Sequence, residues 1–224
     1  MQIINAIFAL FYREYKITFR NFSDILAILL FFILGILIFV FSIGSNNEIF
    51  NQIGIGVIWT LLLLSNNLSL KKFYHDDFND GSIIVMHMGG LSYELIVLIK
   101  IITTWIFVQC PFFLIIPIAA ILLDIQINNI IYILVSFLIG SPILTSIASI
   151  AGSMNLLNNR NFTIGSLIIM VLSIPVIIFS VGIVNEAADL IKAQLNILLG
   201  ILLLFLAITP WVSAVCIKLA LQNK

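Results

Sequence analysis

Long apolar stretches separated by short polar segments run through the whole chain. An α-helix needs about 20 apolar residues to cross the roughly 30 Å hydrocarbon core of a bilayer, and six stretches come close to that length or exceed it. They cover residues 25–43, 53–70, 101–123, 130–151, 164–184 and 195–217. Their apolar residues are continuous rather than alternating, which favours helices over the strands of a membrane barrel. The pattern predicts an all-α polytopic membrane protein in which residues 1–224 form a single transmembrane domain with six spans.

Residues 3–20 show a different pattern. Apolar residues recur at helical spacing on one face, and basic residues recur at the same spacing on another. The apolar positions are Ile3, Ile7, Leu10 and Phe11, and the basic positions are Arg13, Lys16 and Arg20. This arrangement predicts an N-terminal amphipathic helix that lies in the membrane interface. The alternative is a simple helical extension of the first span.

The overall composition agrees with a membrane-embedded chain. Of the 224 residues, 62% are hydrophobic and 9% are charged, and the mean hydropathy is +1.23. A soluble domain of this length needs more charged residues to cover its surface. The net charge is zero, so the chain lacks the basic excess typical of nucleic-acid-binding proteins. Membrane lipid is its expected surrounding.

The distribution of basic residues predicts the orientation. With six spans, nine of the ten Lys and Arg residues fall on the side that holds the N-terminus, and only Lys192 falls on the other. Basic residues are enriched in the cytoplasmic loops of membrane proteins. We therefore expect both termini in the cytoplasm of a bacterium, with the chain in the inner membrane. The alternative is a mitochondrial inner membrane with both termini in the matrix.

Several prolines lie inside the apolar stretches, where neighbouring helices can compensate for the lost backbone hydrogen bond. Pro111 and Pro117 are predicted to kink the third span. Gly140 and Pro142 in the fourth span and Pro175 in the fifth are candidate hinges. Static packing kinks are the alternative interpretation of these three positions.

The longest polar segment lies between the second and third spans and concentrates charge. It comprises Lys71, Lys72, Phe73, Tyr74, His75, Asp76, Asp77, Phe78, Asn79, Asp80, Gly81 and Ser82. Its aromatic residues recur near helical spacing, which predicts a short helix whose aromatic side docks into a groove on a cytoplasmic partner. Asp80-Gly81-Ser82 is typical of a helix end and turn. The alternative is a solvated loop whose aromatic residues anchor it in the membrane interface.

Other chemistry finds little support. Asp76, Asp77, Asp80 and His75 could bind a metal on paper, but one charge-rich loop is weak support for a metal site. His75 and His87 are weak haem-ligand candidates because neither lies in a span. The sequence holds no P-loop motif for a nucleotide. No ionisable residue lies deep in a predicted span, which argues against an ion-coupled carrier.

Several short motifs occur in order along most of the chain. They are Gly56-Val57-Ile58-Trp59, Ser65-Asn66, Phe73, Asp76-Asp77, Asp80-Gly81-Ser82, Lys100, Gly140-Ser141-Pro142, Arg160 with Gly165 and Leu167, and Ile174-Pro175. In these motifs and their spacing the chain resembles the haem exporter protein B family (CcmB), the membrane permease of the ABC-type complex for cytochrome c maturation. It departs from the family at Met88-Gly89-Gly90-Leu91, in place of a Leu-Pro-Leu turn, and in the asparagine-rich residues 158–161.

The resemblance implies a non-catalytic permease with six helices that works with a separate ATPase, CcmA, and with CcmC and CcmD. The complex is implied to use ATP to release the haem-loaded chaperone CcmE from CcmC. ATP would then bind the partner ATPase and haem the partner subunits, with no cofactor held by this chain. The segment from Phe73 to Ser82, with Asp76, Asp77, Phe78, Asp80 and Gly81, would couple the permease to the ATPase.

Two other functions stay open on the sequence. The chain can be the permease of another ABC exporter, moving lipid, polysaccharide or drug, or a membrane assembly scaffold without a transport cycle. By analogy with ABC permeases, two copies of the chain are expected for each pair of ATPases.

Overall fold

A computed structural model of the chain describes residues 2–44, 47–69, 73–157, 163–185 and 188–223. Within these ranges the chain is helical, with turns and no strand, which confirms the predicted all-α class. The helices are α1 (Gln2–Arg20), α2 (Phe22–Ile43), α3 (Asn47–Ser69), α4 (His75–Asn79), α5 (Ser82–Met88), α6 (Tyr93–Thr104), α7 (Phe112–Leu122), α8 (Ile127–Leu157), α9 (Thr163–Asn185) and α10 (Ala188–Gln222), with a π-helical segment at Trp105–Gln109.

Four helices of the described chain are long and apolar enough to cross a membrane. They are α2, α8, α9 over Gly165–Val184 and α10 over Leu190–Gln222. Helix α6 with the π-helical segment, followed by α7, would form a fifth span with a bend of 42°, and α3 contributes a shorter apolar helix over Gln52–Leu68. All six predicted stretches therefore overlap apolar helices, but the described chain has four or five candidate spans, and the count of six stays a prediction.

The bend in the third predicted stretch has a local cause. The Cys110 amide donates to the Trp105 carbonyl oxygen at 3.3 Å, a bond across five residues that widens the helix. Pro111 follows directly and has no amide hydrogen to continue the ladder. A kink at Pro111 is therefore confirmed, whereas Pro117 lies inside the continuous helix α7.

Helix α8 is the most buried of the candidate spans and packs against α9 and α10. Small and hydroxyl-bearing residues dominate its buried surface. They include Ser146, Ala148, Ser149, Ala151, Gly152 and Ser153 on α8, facing Ser213 and Ala214 on α10. Small residues let helix backbones approach closely, which is how membrane helices associate without a hydrophobic driving force.

The three candidate hinges lie inside helices that run on without a break. Pro142 is in α8 and Pro175 in α9. Gly140 has a packing reason for its lack of a side chain, because a Cβ atom there would lie 2.5 Å from the Trp59 Cη2 atom of α3. The close contact between α3 and α8 therefore explains why a residue without a side chain occupies position 140. A hinge at the three positions stays a prediction.

Helix α1 packs on the N-terminal half of α6 through one apolar face. Leu10 is buried with Leu91, Ile96 and Ile99 in a small cluster apart from the main core. The opposite face of α1 is largely uncovered and carries the exposed side chains of Phe8, Tyr12, Tyr15 and Phe19. Two of them, Tyr15 and Phe19, also contact the Phe107 ring, with centroids 5.4 and 6.2 Å away.

Candidate functional site

The polar segment after α3 folds into two short helices at an angle. Phe73 and Tyr74 form a bend before α4, which spans His75–Asn79. Gly81 then adopts a positive φ of 74°, a conformation that costs glycine little and other residues more. Helix α5 begins directly afterwards at Ser82. The predicted short helix and the turn at Asp80-Gly81 are both confirmed.

The aromatic side of the segment faces the chain's own helices. Phe73, Tyr74 and Phe78 are all buried and belong to the main hydrophobic core. The expectation that this aromatic side docks on a partner is therefore wrong, because the ends of the spanning helices already cover it. The apolar side of the segment is therefore buried within the chain, where α4 packs against α8.

The outward side of the segment has a different character. On α4 the exposed residues include Asp76, and Asp80 is exposed at its end. On α5 the side chains of Val85 and Met88 are exposed by 68% and 81%. These exposed side chains are thus acidic on and directly after α4 and apolar on α5, and we call Asp76, Asp80, Val85 and Met88 the outward surface.

Asp77 points the other way, into a group of four charged side chains that we call the charge cluster: Arg13, Glu14, Asp77 and Lys100. Three of them are buried, whereas the Arg13 side chain is 32% exposed. The Arg13 Nη2 atom donates to Asp77 Oδ1 at 2.5 Å, and Arg13 Nη1 donates to Glu14 Oε1 at 2.7 Å. The Lys100 ammonium forms an ion pair with Asp77 Oδ2 and lies 3.4 Å from Glu14 Oε2.

Lys100 is the deepest member of the charge cluster, with 5% of its surface exposed. Its Nζ atom also donates to the Phe73 carbonyl oxygen at 3.4 Å, and it lies 5.8 Å from the centre of the Tyr74 ring. A buried ammonium needs such partners because leaving water is costly for an ion. The cluster holds two positive and two negative groups, so it is neutral as a whole.

The electrostatics of the cluster favour its charged form. Burial alone would raise the pKa of Asp77, but the charges and hydrogen bonds of Lys100 and Arg13 outweigh it and hold that pKa below its ordinary value. Burial would lower the pKa of Arg13, yet its contacts with Asp77 and Glu14 raise it. The ion pairs therefore persist at neutral pH.

Tyr74 makes a second buried polar contact, on the other side of the segment. The Tyr74 hydroxyl and the Ser149 hydroxyl of α8 lie 2.7 Å apart, and Ser149 lies 3.1 Å from the Ser213 hydroxyl of α10. The Tyr74 side chain is 0% exposed. Burial therefore raises the pKa of Tyr74, and the hydroxyl keeps its proton at neutral pH.

A cavity of about 300 Å³ opens beside the charge cluster, between α1, α2, α4 and α6. Glu14, Asp24, Asp76 and Asp77 line it together with Lys100. Apolar residues form the remaining wall. They include Ile25, Ile28, Leu68, Phe73 and Val108.

Comparison with known proteins assigns the family. The family model described as "CcmB protein" matches residues 5–220. The chain belongs to the CcmB protein family. The match extends over nearly all the described helices, so it covers the bundle, the charge cluster and the outward surface together.

Curated relatives of this CcmB-family chain cover it almost end to end. Heme exporter protein B of Haemophilus influenzae is 31% identical over 214 residues, which is 94% of this chain and 96% of the relative. Heme exporter protein B of Rhodobacter capsulatus is 28% identical over 216 residues, 96% of this chain and 99% of the relative. The protein of the same name from Pseudomonas aeruginosa is 26% identical over 218 residues.

Both histidines of the CcmB-family chain have local hydrogen-bond partners. His75 Nε2 lies 3.0 Å from the Asn79 Nδ2 atom, and His87 Nδ1 lies 2.9 Å from the Leu91 carbonyl oxygen. Among the described residues no three His, Cys, Asp or Glu side chains are grouped to hold a metal ion. Lys71, Lys72 and Arg160, with the asparagine-rich residues 158–161, lie outside the described residues.

Sequence reasoning missed Arg13, Glu14 and Lys100 as members of the charge cluster. Glu14 is the one acidic residue among the basic residues of α1, and Lys100 interrupts an apolar run. A charged residue beside a membrane segment usually pairs with an opposite charge. The sequence alone could therefore have suggested that Glu14 and Lys100 form an ion pair. Helix α6 begins at Tyr93, ahead of the predicted start at 101, which carries Lys100 well inside the helix.

Proposed function

We propose that this CcmB-family chain is the membrane permease subunit of an ATP-driven ABC complex for cytochrome c biogenesis. It acts in haem export or in release of the haem-loaded chaperone. One observation carries the proposal: the family match over residues 5–220, with full-length relatives named heme exporter protein B. The apolar helices of the described chain agree with a membrane-embedded role.

The proposed topology has six spans, with both termini in the cytoplasm and the chain in a bacterial inner membrane. Arg13 and Lys100 meet in the charge cluster, and the Lys218 ammonium of α10 lies 3.0 Å from Glu94 Oε1 at the start of α6. Three basic residues far apart in sequence are therefore at one end of the bundle. Such one-sided placement supports a cytoplasmic assignment for that end, and the relatives cited above are bacterial.

Helix α1 is proposed to lie in the cytoplasmic membrane interface. Its uncovered face carries Phe8, Tyr12, Tyr15 and Phe19. Lys16 lies with its ammonium 4.7 Å from the centre of the Tyr12 ring. Aromatic rings beside a basic residue match the boundary between acyl chains and headgroups.

The outward surface is proposed to contact a CcmA-type ATPase. The aromatic residues and Asp77 hold the segment from behind, while Gly81 sets the angle between α4 and α5. The partner that fits the outward surface has a groove with an apolar floor and a basic rim, because Val85 and Met88 lie beside the carboxylates of Asp76 and Asp80. The segment from Phe73 to Ser82 is thus proposed as the core of the coupling element, which continues through α5 to Met88.

The chain itself is proposed to be non-catalytic and to bind no cofactor directly. ATP is hydrolysed on the partner ATPase, and haem is handled by CcmC, CcmD and the chaperone CcmE. Two copies of the chain pair with two ATPases. Support comes from the family match and from the lack of a P-loop motif in the sequence.

The decisive experiment deletes the chain's gene in its host and measures covalent haem attachment to cytochrome c. Attachment should be lost and should return when the tagged chain is supplied. The tagged chain, solubilised in mild detergent, should co-purify with an ATPase whose hydrolysis depends on it. Normal attachment in the deletion strain would exclude the proposed role, and attachment that needs the chain without any ATPase would favour a scaffold.

The outward surface has its own test. The variants Asp76→Lys and Val85→Glu should reduce co-purification of the ATPase by on the order of tenfold or more. The first places a cation against the proposed basic rim, and the second places a carboxylate against the proposed apolar floor. Lys192→Glu, on the exposed surface of α10, is the matched control for a change of charge. Unchanged co-purification in both variants would move the docking site elsewhere on the chain.

A further inference from the structure

Two side chains of the segment from Phe73 to Ser82, here called the coupling segment, attach this segment to four different helices. Tyr74 and Asp77 are three positions apart, and their polar atoms contact different helices. Asp77 reaches Arg13 of α1 and Lys100 of α6. Tyr74 reaches Ser149 of α8, which in turn contacts Ser213 of α10.

The attachment through Asp77 is rigid because each partner is also held. Glu14 contacts both Arg13 and Lys100. If either cation moved with Asp77 while Glu14 stayed in place, its contact with Glu14 would break. Withdrawing one charge from a buried pair leaves its partner uncompensated. A displacement of α4 therefore moves α1 and α6 with it, or must break several contacts at once.

The attachment through Tyr74 works on the core of the bundle. The ring is fully buried, and its hydroxyl contacts the α8 surface that packs against α10. A tyrosine hydroxyl without its partner in this environment would be an unsatisfied buried polar group. A tilt of α4 is consequently passed to α8 and α10 rather than absorbed at the bend.

We propose that Asp77 and Tyr74 are positioning residues that transmit movement of the coupling segment to two pairs of helices: Asp77 to α1 and α6, and Tyr74 to α8 and α10. The inference rests on the proposed function, in which an ATPase contacts the outward surface. The two residues are buried behind that surface and do not form it. Their loss therefore uncouples the complex without dissolving it.

The test uses the whole complex in its native membrane and two conservative variants, Asp77→Asn and Tyr74→Phe. Each keeps the side-chain shape while removing the charge or the hydroxyl. Three quantities are measured: co-purification of the ATPase, ATP hydrolysis by the complex, and covalent haem attachment to cytochrome c. We expect the ATPase to remain bound and active, while haem attachment per complex falls about tenfold, a typical size for coupling between sites.

The chain offers matched controls for both variants. Asp124→Asn makes the same chemical change on an exposed turn between α7 and α8, where asparagine also tolerates the positive φ of 50°. Tyr132→Phe removes a hydroxyl from a partly exposed tyrosine of α8. Both controls should keep normal haem attachment. Asp77→Glu, which restores the charge, should recover part of what Asp77→Asn loses.

The outcomes separate the inference from the proposed function. Loss of ATPase binding in Asp77→Asn and Tyr74→Phe would overturn the inference, since the residues would then act in docking or folding. Normal haem attachment in both variants would overturn it as well. If Asp77→Asn fails to accumulate in the membrane, Tyr74→Phe and Asp77→Glu decide the question by the same measures. Failure of the wild-type chain to bind any ATPase would instead remove the proposed function.

Discussion

Arg13 and Asp77 are 64 residues apart in sequence, yet the Arg13 Nη2 atom lies 2.5 Å from Asp77 Oδ1. The contact joins the N-terminal helix to the segment between α3 and α6. Lys100 occupies the other oxygen of the same carboxylate. The three elements at this end of the bundle thus share one buried anion, and their stability depends on its partners.

Removing Lys100 should destabilise the protein more than removing any exposed lysine. Lys100→Met leaves Asp77 and Glu14 buried with only Arg13 to compensate them, and we expect a loss of roughly 3 kcal/mol. The loss of stability is measured by heating the detergent-solubilised protein and recording the decrease of the folded peak in size-exclusion chromatography. Lys192→Met on the exposed side of α10 is the control and should change stability by less than about 0.5 kcal/mol. Equal effects of the two variants would contradict the buried ion pair.

The stabilisation from Asp77 should depend on pH in a defined direction. Because the folded state holds the pKa of Asp77 below its ordinary value, its contribution is fully present above the pKa of an unfolded aspartate, about 3.9. It is lost as the pH falls from there through the lowered folded value.

The corresponding measurement compares the wild-type chain with Asp77→Asn from neutral pH down to about pH 3, a range that includes the ordinary aspartate pKa. The wild-type chain should unfold at the higher temperature at pH 7, and the difference between the two unfolding temperatures should shrink as the pH falls below about 3.9. A difference that stayed constant over the whole range would mean that the charge of Asp77 does not stabilise the fold.

Gly140 should not accept a methyl group. Gly140→Ala places a Cβ atom 2.5 Å from Trp59 Cη2, and overpacking of this kind costs about 1–3 kcal/mol. The thermal unfolding temperature should fall, and the double variant with Trp59→Phe should recover part of the loss. Gly200→Ala is the control, since no atom lies within 4 Å of its added Cβ. A wild-type unfolding temperature in Gly140→Ala would show that α3 and α8 are not this close.

The aromatic face of α1 should lie in lipid. Tyr12→Trp places an indole on the uncovered side of α1, and in vesicles its added fluorescence should be quenched by lipids brominated near the headgroup end of the chain. Asn5→Trp lies on the same helical face two turns before Tyr12, so its indole should be quenched in the same way. Fluorescence of the Tyr12→Trp indole that matches its value in water would contradict the interfacial position of α1.

Much of the fold could be predicted because the hydrophobic pattern determines which segments become helices. Each of the six predicted stretches overlaps an apolar helix or bent helix pair, and Pro111 marks the bend. The residues at which helices begin were harder to predict. Helix α6 begins at Tyr93 after the Ser92 side chain caps it, so its first turns are more polar than a lipid-facing span and fall outside the apolar window.

The site was only half predictable for a related reason. The turn at Gly81 follows from local residue preferences, which sequence shows directly. The inward orientation of Phe73, Tyr74 and Phe78 depends on a surface formed by distant helices, including Ser149 of α8. Periodicity identifies a face of a helix but does not say whether that face meets a partner or the chain itself.

The charge cluster also sets an order for assembly during synthesis. Arg13 and Glu14 leave the ribosome first, Asp77 follows after two apolar helices, and Lys100 comes last. Until Lys100 arrives, the two carboxylates have a single cation between them and are better hydrated at the membrane surface than buried. Closure of the cluster therefore waits for α6, so the four charges come together only after the first half of the chain has been synthesised.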